Sequence, residues 1–95
     1  MHFFNEETMI IKPAQIAMTY RTGTIKNYTY NQIVEILGFA PNVNDDPKKV
    51  VNSWAFTVDG FEAAIWDYDN SHFVGCWSIY DPHNVLGHLF VVENI

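Results

Sequence analysis

Asp67 and Asp69 stand two residues apart, the spacing that sets two carboxylates on one face of a strand, where a pair could share acid and base work. Asp69 is followed by Asn70 and Ser71, and such a run forms turns through side-chain to backbone hydrogen bonds, which explains the aspartates without a reaction. His72 falls in the same turn. With Asp67, Asp69 and His83 it completes the titratable set that an enzyme acting on a small molecule would use. His83 and His88 are five apart and miss the i, i+4 spacing of a helical metal pair, so neither metal nor cofactor is expected. Cys76, the single cysteine, has no internal disulfide partner and lies in an apolar run, so it reads as a small buried hydrophobe rather than a nucleophile. There is no glycine-rich phosphate loop. These residues nominate no reaction, and the chain reads as a non-enzyme.

Binding chemistry has better candidates. Trp66, Tyr68 and Tyr80, with Val74 and Cys76, alternate onto one side of two strands and make an apolar cluster too large to sit in water as one patch. One reading covers it with a helix or the N-terminal segment. The other makes it an interface to a host protein or to a second copy in a homo-oligomer, because Trp and Tyr are enriched where partners bury surface. Arg21, Lys26, Lys48 and Lys49 are the donors that a nucleotide phosphate would need, assembled within or across subunits, with Trp66 or Tyr68 stacking a base. Eleven acidic against five basic residues give a formal charge of −6. Only Lys48 and Lys49 are adjacent, so direct nucleic-acid binding is not expected.

The elements that must position these residues are legible in the middle of the chain. Asp59-Gly60 between alternating hydrophobic runs predicts a two-residue hairpin turn, since both central positions need positive φ. That turn sets Val58 opposite Phe61, Phe56 opposite Ala63, Trp54 opposite Ile65 and Ser53 opposite Trp66. The core face then carries Trp54, Phe56, Val58, Phe61, Ala63 and Ile65. The other carries Ser53, Ala55, Thr57, Glu62, Ala64, Trp66 and Tyr68. A third strand, placed after a loop of Asn70, Ser71 and His72, puts Ile65 opposite Trp77 and Ala63 opposite Ile79.

Two short helices flank this meander in the sequence reading. Thr29 to Gln32 fits a capping box, Gly38 and Pro41 end the helix, and Tyr30, Ile33, Val34 and Leu37 share one side. Asp81-Pro82 starts a second helix through Val85, Leu86, Leu89 and Phe90, with Gly87 in its middle. The expectation is a single α+β domain over residues 1–95: a three-stranded antiparallel meander (about 52–58, 61–68 and 73–80) between helices at about 30–37 and 82–90. Met9 to Ile11 suggests a strand, and Pro13 to Tyr20 stays open between helix and extended chain. Thr22-Gly23-Thr24 and residues 42–49 read as turn and loop. No apolar run approaches the ~18 residues of a membrane span, and two acidic residues near the N-terminus oppose a signal peptide, so a cytoplasmic protein is expected.

Several of these residues also form a pattern: Tyr28-Thr29-Tyr30, Gly38 and Pro41, Asp46 with Lys48 to Val50, Trp54 and Phe56, Asp59-Gly60, Ile65 to Tyr68, and Trp77-Ser78. Over roughly residues 28–90 this resembles a family of small uncharacterised bacteriophage-encoded proteins. Relatives often carry Lys-Gly after the tyrosine where this chain has Asp69-Asn70. The resemblance implies a small accessory protein in the host cytoplasm that antagonises a defence factor, by binding a defence protein or by sequestering a signalling nucleotide. A structural or assembly subunit is the remaining alternative.

Overall fold

A computed structural model describes residues 9–16, 20–43, 50–68 and 76–95, with only the backbone described at 50, 51 and 68. In chain order the described elements are β1 (Ile11–Pro13), β2 (Gly23–Ile25), α1 (Tyr30–Leu37), β3 (Val50–Val58), β4 (Phe61–Tyr68), β5 (Trp77–Tyr80) and β6 (Val92–Asn94), with a 3-10 turn at Leu86–His88. The strands form one sheet in the order β1-β3-β4-β5-β2-β6, antiparallel at every pairing. The expected meander between two helices is thus the centre of a six-stranded sheet, with one α-helix among the described residues.

The central hairpin forms as its residues dictate. Asp59 has φ 53° and Gly60 φ 89°, and Val58↔Phe61, Phe56↔Ala63, Trp54↔Ile65 and Ser53↔Trp66 are all paired. Asp59 also holds β1. Its amide donates to the Ile10 carbonyl at 2.8 Å, and its Oδ1 accepts from the Ile10 amide at 2.8 Å. At the other end the ladder shifts between Val50 and Ser53, and the Asp67 carboxylate accepts from the Asn52 amide at 2.7 Å in that irregular stretch.

Five sequence expectations need correction. The β4–β5 register sets Ile65 opposite Ile79 and Trp66 opposite Ser78, two residues from the predicted pairing. An even slip leaves every side chain on its predicted face, so the hydrophobic pattern cannot distinguish the two registers. The predicted start of this strand, 73–75, and its loop lie outside the described residues. Thr22-Gly23-Thr24 is not a turn: Gly23 opens β2, and a Cβ there would collide with the backbone oxygen of Glu93 on β6. This glycine permits a close strand approach, a role that resembles a turn signal in sequence.

The predicted second helix is replaced by a turn, the short 3-10 segment and β6. Asn84 has φ 57°, which a right-handed helix does not admit. The Asp81 carboxylate accepts from the Val85 amide at 2.8 Å and the Leu86 amide at 3.1 Å. It caps amides four and five residues ahead, across the turn, rather than starting a helix at Pro82. Lastly, Phe61 is 49 % exposed at the hairpin tip, its ring 5.1 Å from that of His83, whereas the rest of the predicted core face is buried. Cys76 is a free thiol that is only partly buried.

Helix α1 matches its sequence signals. The Gln32 amide donates to Thr29 Oγ1 at 3.1 Å, the Thr29 amide donates to Gln32 Oε1 at 2.8 Å, and Gly38 (φ 93°) donates to the Val34 carbonyl at 2.7 Å. Ile33 and Leu37 enter a core with Ile25, Trp54, Phe56, Ile65, Trp77, Ile79, Leu86 and Phe90. Two indoles meet at 5.5 Å under the helix, edge to face. Trp54 Nε1 donates to the Phe39 carbonyl at 3.0 Å and Trp77 Nε1 to the Tyr28 carbonyl at 2.7 Å. Trp77 and Trp54 therefore grip the chain just before and just after α1.

Beyond Pro13, the edge of β3 is shared by backbone and side chain: the Ala14 amide donates to the Ala55 carbonyl at 2.9 Å, and the Asn42 carboxamide bonds the same residue. The Ala55 amide donates to Asn42 Oδ1 at 2.9 Å, and Asn42 Nδ2 donates to the Ala55 carbonyl at 2.9 Å, so the carboxamide stands in for a strand residue.

Two predictions follow from these contacts. Trp77→Phe keeps most of the apolar surface and deletes the donor to Tyr28; equilibrium denaturant unfolding should show a loss of about 1–3 kcal/mol at unchanged m-value, and a loss within error would show the bond to be dispensable. Asn42→Ala should cost about 1–3 kcal/mol in the same assay. Asn42→Asp, which presents a charged oxygen to the Ala55 carbonyl, should be no better than the alanine variant.

Candidate functional site

The outer sheet face, opposite the helix, was the predicted contact surface, and its centre is buried. Trp66 is 7 % exposed, and Ala55 and Ala64 beside it are also buried. Trp66 therefore does not present its indole to a partner in this conformation, and the reading in which the chain itself covers the aromatic cluster accounts for it better. Tyr68 has only its backbone described, and Val74 lies outside the described residues, as do Lys48 and Lys49.

Tyr80 is part of an accessible group at the end of β5. It pairs with Ala64 on the outer face and is partly buried. The ring of Tyr20, 61 % exposed, stands against it edge-on at a centroid distance of 5.1 Å. Arg21, also exposed, follows directly. What holds them is Thr22: its amide donates to the Ile79 carbonyl at 2.8 Å, and its Oγ1 accepts from the Asp81 amide at 2.8 Å. Tyr20-Arg21-Thr22 is thereby stapled along Ile79-Tyr80-Asp81, and the buried Asp81 in turn secures the following turn.

The basic side chains are not gathered at one point. Lys26 Nζ lies 3.2 Å from Glu93 Oε1, with both side chains more than half exposed, a pair that water and salt screen. Arg21 and Lys26 flank opposite ends of β2, and five residues of extended chain put their backbones roughly 16 Å apart.

The titratable candidates are likewise dispersed. Asp67 is occupied with Asn52, accepting from its amide at 2.7 Å and from its Nδ2 at 3.3 Å. His83 sits against Phe61 at the far end of β4, roughly 20 Å along the strand from Asp67. Asp69 and His72 fall outside the described residues. A cleft of about 380 Å³ beside Asp81 is lined by Asn84, Phe90, Val92 and Asn94, but both Asp81 oxygens are engaged by backbone amides. Among the described residues no three His, Cys, Asp or Glu side chains group to hold a metal, and no helix is long and apolar enough to cross a membrane.

Tyr20, the exposed ring against Tyr80, is the residue of this group that sequence reasoning did not single out. Its segment reads equally as helix or extended chain, and its ring reaches Tyr80 only because the sheet order returns the chain from β1 past β3 and β4 to β5. Compared with known proteins, the chain matches no family model, no curated protein and no solved structure.

Proposed function

We propose that this chain is a non-enzymatic binding protein whose contact surface is the Tyr20-Tyr80 pair at the end of the outer sheet face, together with Arg21 next to it in the chain. The observation that carries the reading is an exposed tyrosine held edge-on by a second tyrosine at 5.1 Å. An aromatic ordered before contact loses little conformational freedom on binding, and Tyr and Arg are the side chains that most often dominate interface energetics. The target class comes from the resemblance to small phage proteins: a host defence protein, met in the host cytoplasm.

A second reading shares the same residues. Tyr20 could stack a base and Arg21 contact a phosphate, which makes a signalling nucleotide the alternative ligand. Lys26 contributes less to it than expected, because its ammonium is shared with Glu93.

Native mass spectrometry of untagged protein, purified gently from host-like cells, separates the readings. A retained host protein that is lost in Tyr20→Ala supports the first, with affinity falling by about 2 kcal/mol, near thirtyfold, on truncation. An added mass of a few hundred daltons lost in Arg21→Ala supports the second. A retained partner indifferent to both substitutions would remove this surface from the function.

A further inference from the structure

The two edges of the sheet are unlike. β1 carries Lys12 and Pro13, and the β3 edge beyond it is closed by Asn42, devices that discourage a further strand. β6 carries neither proline nor bulge, and its one charged side chain, Glu93, is paired with Lys26. Its register with β2 pairs Val92 with Ile25, Glu93 with Thr24 and Asn94 with Gly23, and the Ile95 amide donates to the Thr22 carbonyl at 3.0 Å. In an antiparallel ladder the inward hydrogen-bonding residues alternate, so Glu93 and Ile95 face β2 with their backbone groups. The N–H and C=O groups of Val92 and Asn94 then point away from the sheet, with no partner among the described residues. On the outer face of this edge stand Val91, 76 % exposed, and Ile95, 79 % exposed, the most exposed large hydrophobic side chains of the described chain.

We propose that β6 pairs antiparallel with β6 of a second copy of this chain, joining two sheets across a two-fold axis at Glu93. The register is chosen by the backbone. Only pairing Val92 with the partner's Asn94, and Asn94 with the partner's Val92, engages all the outward groups of both strands, in two reciprocal hydrogen-bonded pairs. The same register sets Val91 opposite the partner's Ile95 and Ile95 opposite the partner's Val91. The two exposed aliphatic residues of each copy thus become cross-strand neighbours, which a foreign strand would match only by coincidence. Its cost is also defined: Glu93 faces Glu93 of the partner subunit, each flanked by its own Lys26. The proposal is independent of the Tyr20 surface.

Sedimentation equilibrium of the full chain from micromolar to millimolar concentration tests it, with amide exchange followed residue by residue. The expected result is a monomer–dimer equilibrium in which the Val92 and Asn94 amides gain protection as the dimer fills. Asn94→Pro, which removes an outward donor without touching the β2 ladder, should leave the circular dichroism unchanged and abolish association. Glu93→Gln, which relieves the facing carboxylates, should tighten it about fivefold. A chain that stays monomeric throughout, or a dimer that survives Asn94→Pro or leaves those two amides unprotected, overturns the proposal.

Discussion

The tryptophan pair under α1 is the constraint on which the rest of the structure depends. Trp54 and Trp77 come from β3 and β5, two strands separated by β4, and their indoles pack edge to face at 5.5 Å. Each carries one polar atom into an apolar layer. A buried N–H without an acceptor costs about 1–3 kcal/mol, so the two donors must find oxygens, and they find them at Phe39 and Tyr28. Those carbonyls bracket an eight-residue helix too short to be stable by itself. The helix is thus positioned by the sheet at both ends, with its capping box and the Gly38 amide adding hydrogen bonds of its own at each terminus.

A second theme is the use of short polar side chains where the backbone lacks a partner. Asn42 serves the edge of β3, Asp59 the start of β1, Asp67 the irregular end of β3, and Asp81 the turn after β5. These account for several of the acidic and amide residues that could otherwise be assigned to chemistry. Among the described residues every buried side-chain nitrogen and oxygen has a hydrogen-bond partner. Much of the polar inventory thus works for the fold. Accessible groups remain at Tyr20 and Arg21 and along the open side of β6.

The two faces of the sheet therefore divide the work. One buries α1, Leu86 and Phe90 against the central strands. The other buries its small residues and Trp66 yet leaves a tyrosine pair and a charged row of Lys26 and Glu93 toward β6. Thr22 ties the segment carrying Tyr20 and Arg21 to the end of β5, and so fixes the tyrosine pair on this second face.

Elements with local causes can be read directly from the chain. The Asp59-Gly60 hairpin, its register and the capped helix at Tyr30 were legible because two positive φ angles, a period of two and a capping box each act within a few residues. The tertiary structure alone decided the rest. Three-residue strands such as β2 and β6 carry too little pattern to announce themselves, and they exist because partners far along the chain complete their ladders. Whether Gly23 makes a turn or admits a neighbouring strand depends on Glu93, seventy residues on. Whether Asp81 starts a helix or bridges a turn depends on the positive φ at Asn84 and on the burial of Leu86 and Phe90. The candidate site followed the same division: Tyr80 was visible from strand alternation, whereas Trp66 proved buried and Tyr20 was revealed only by the path of the chain. Burial and long-range pairing are properties of the assembled sheet, and no window of local residues contains them.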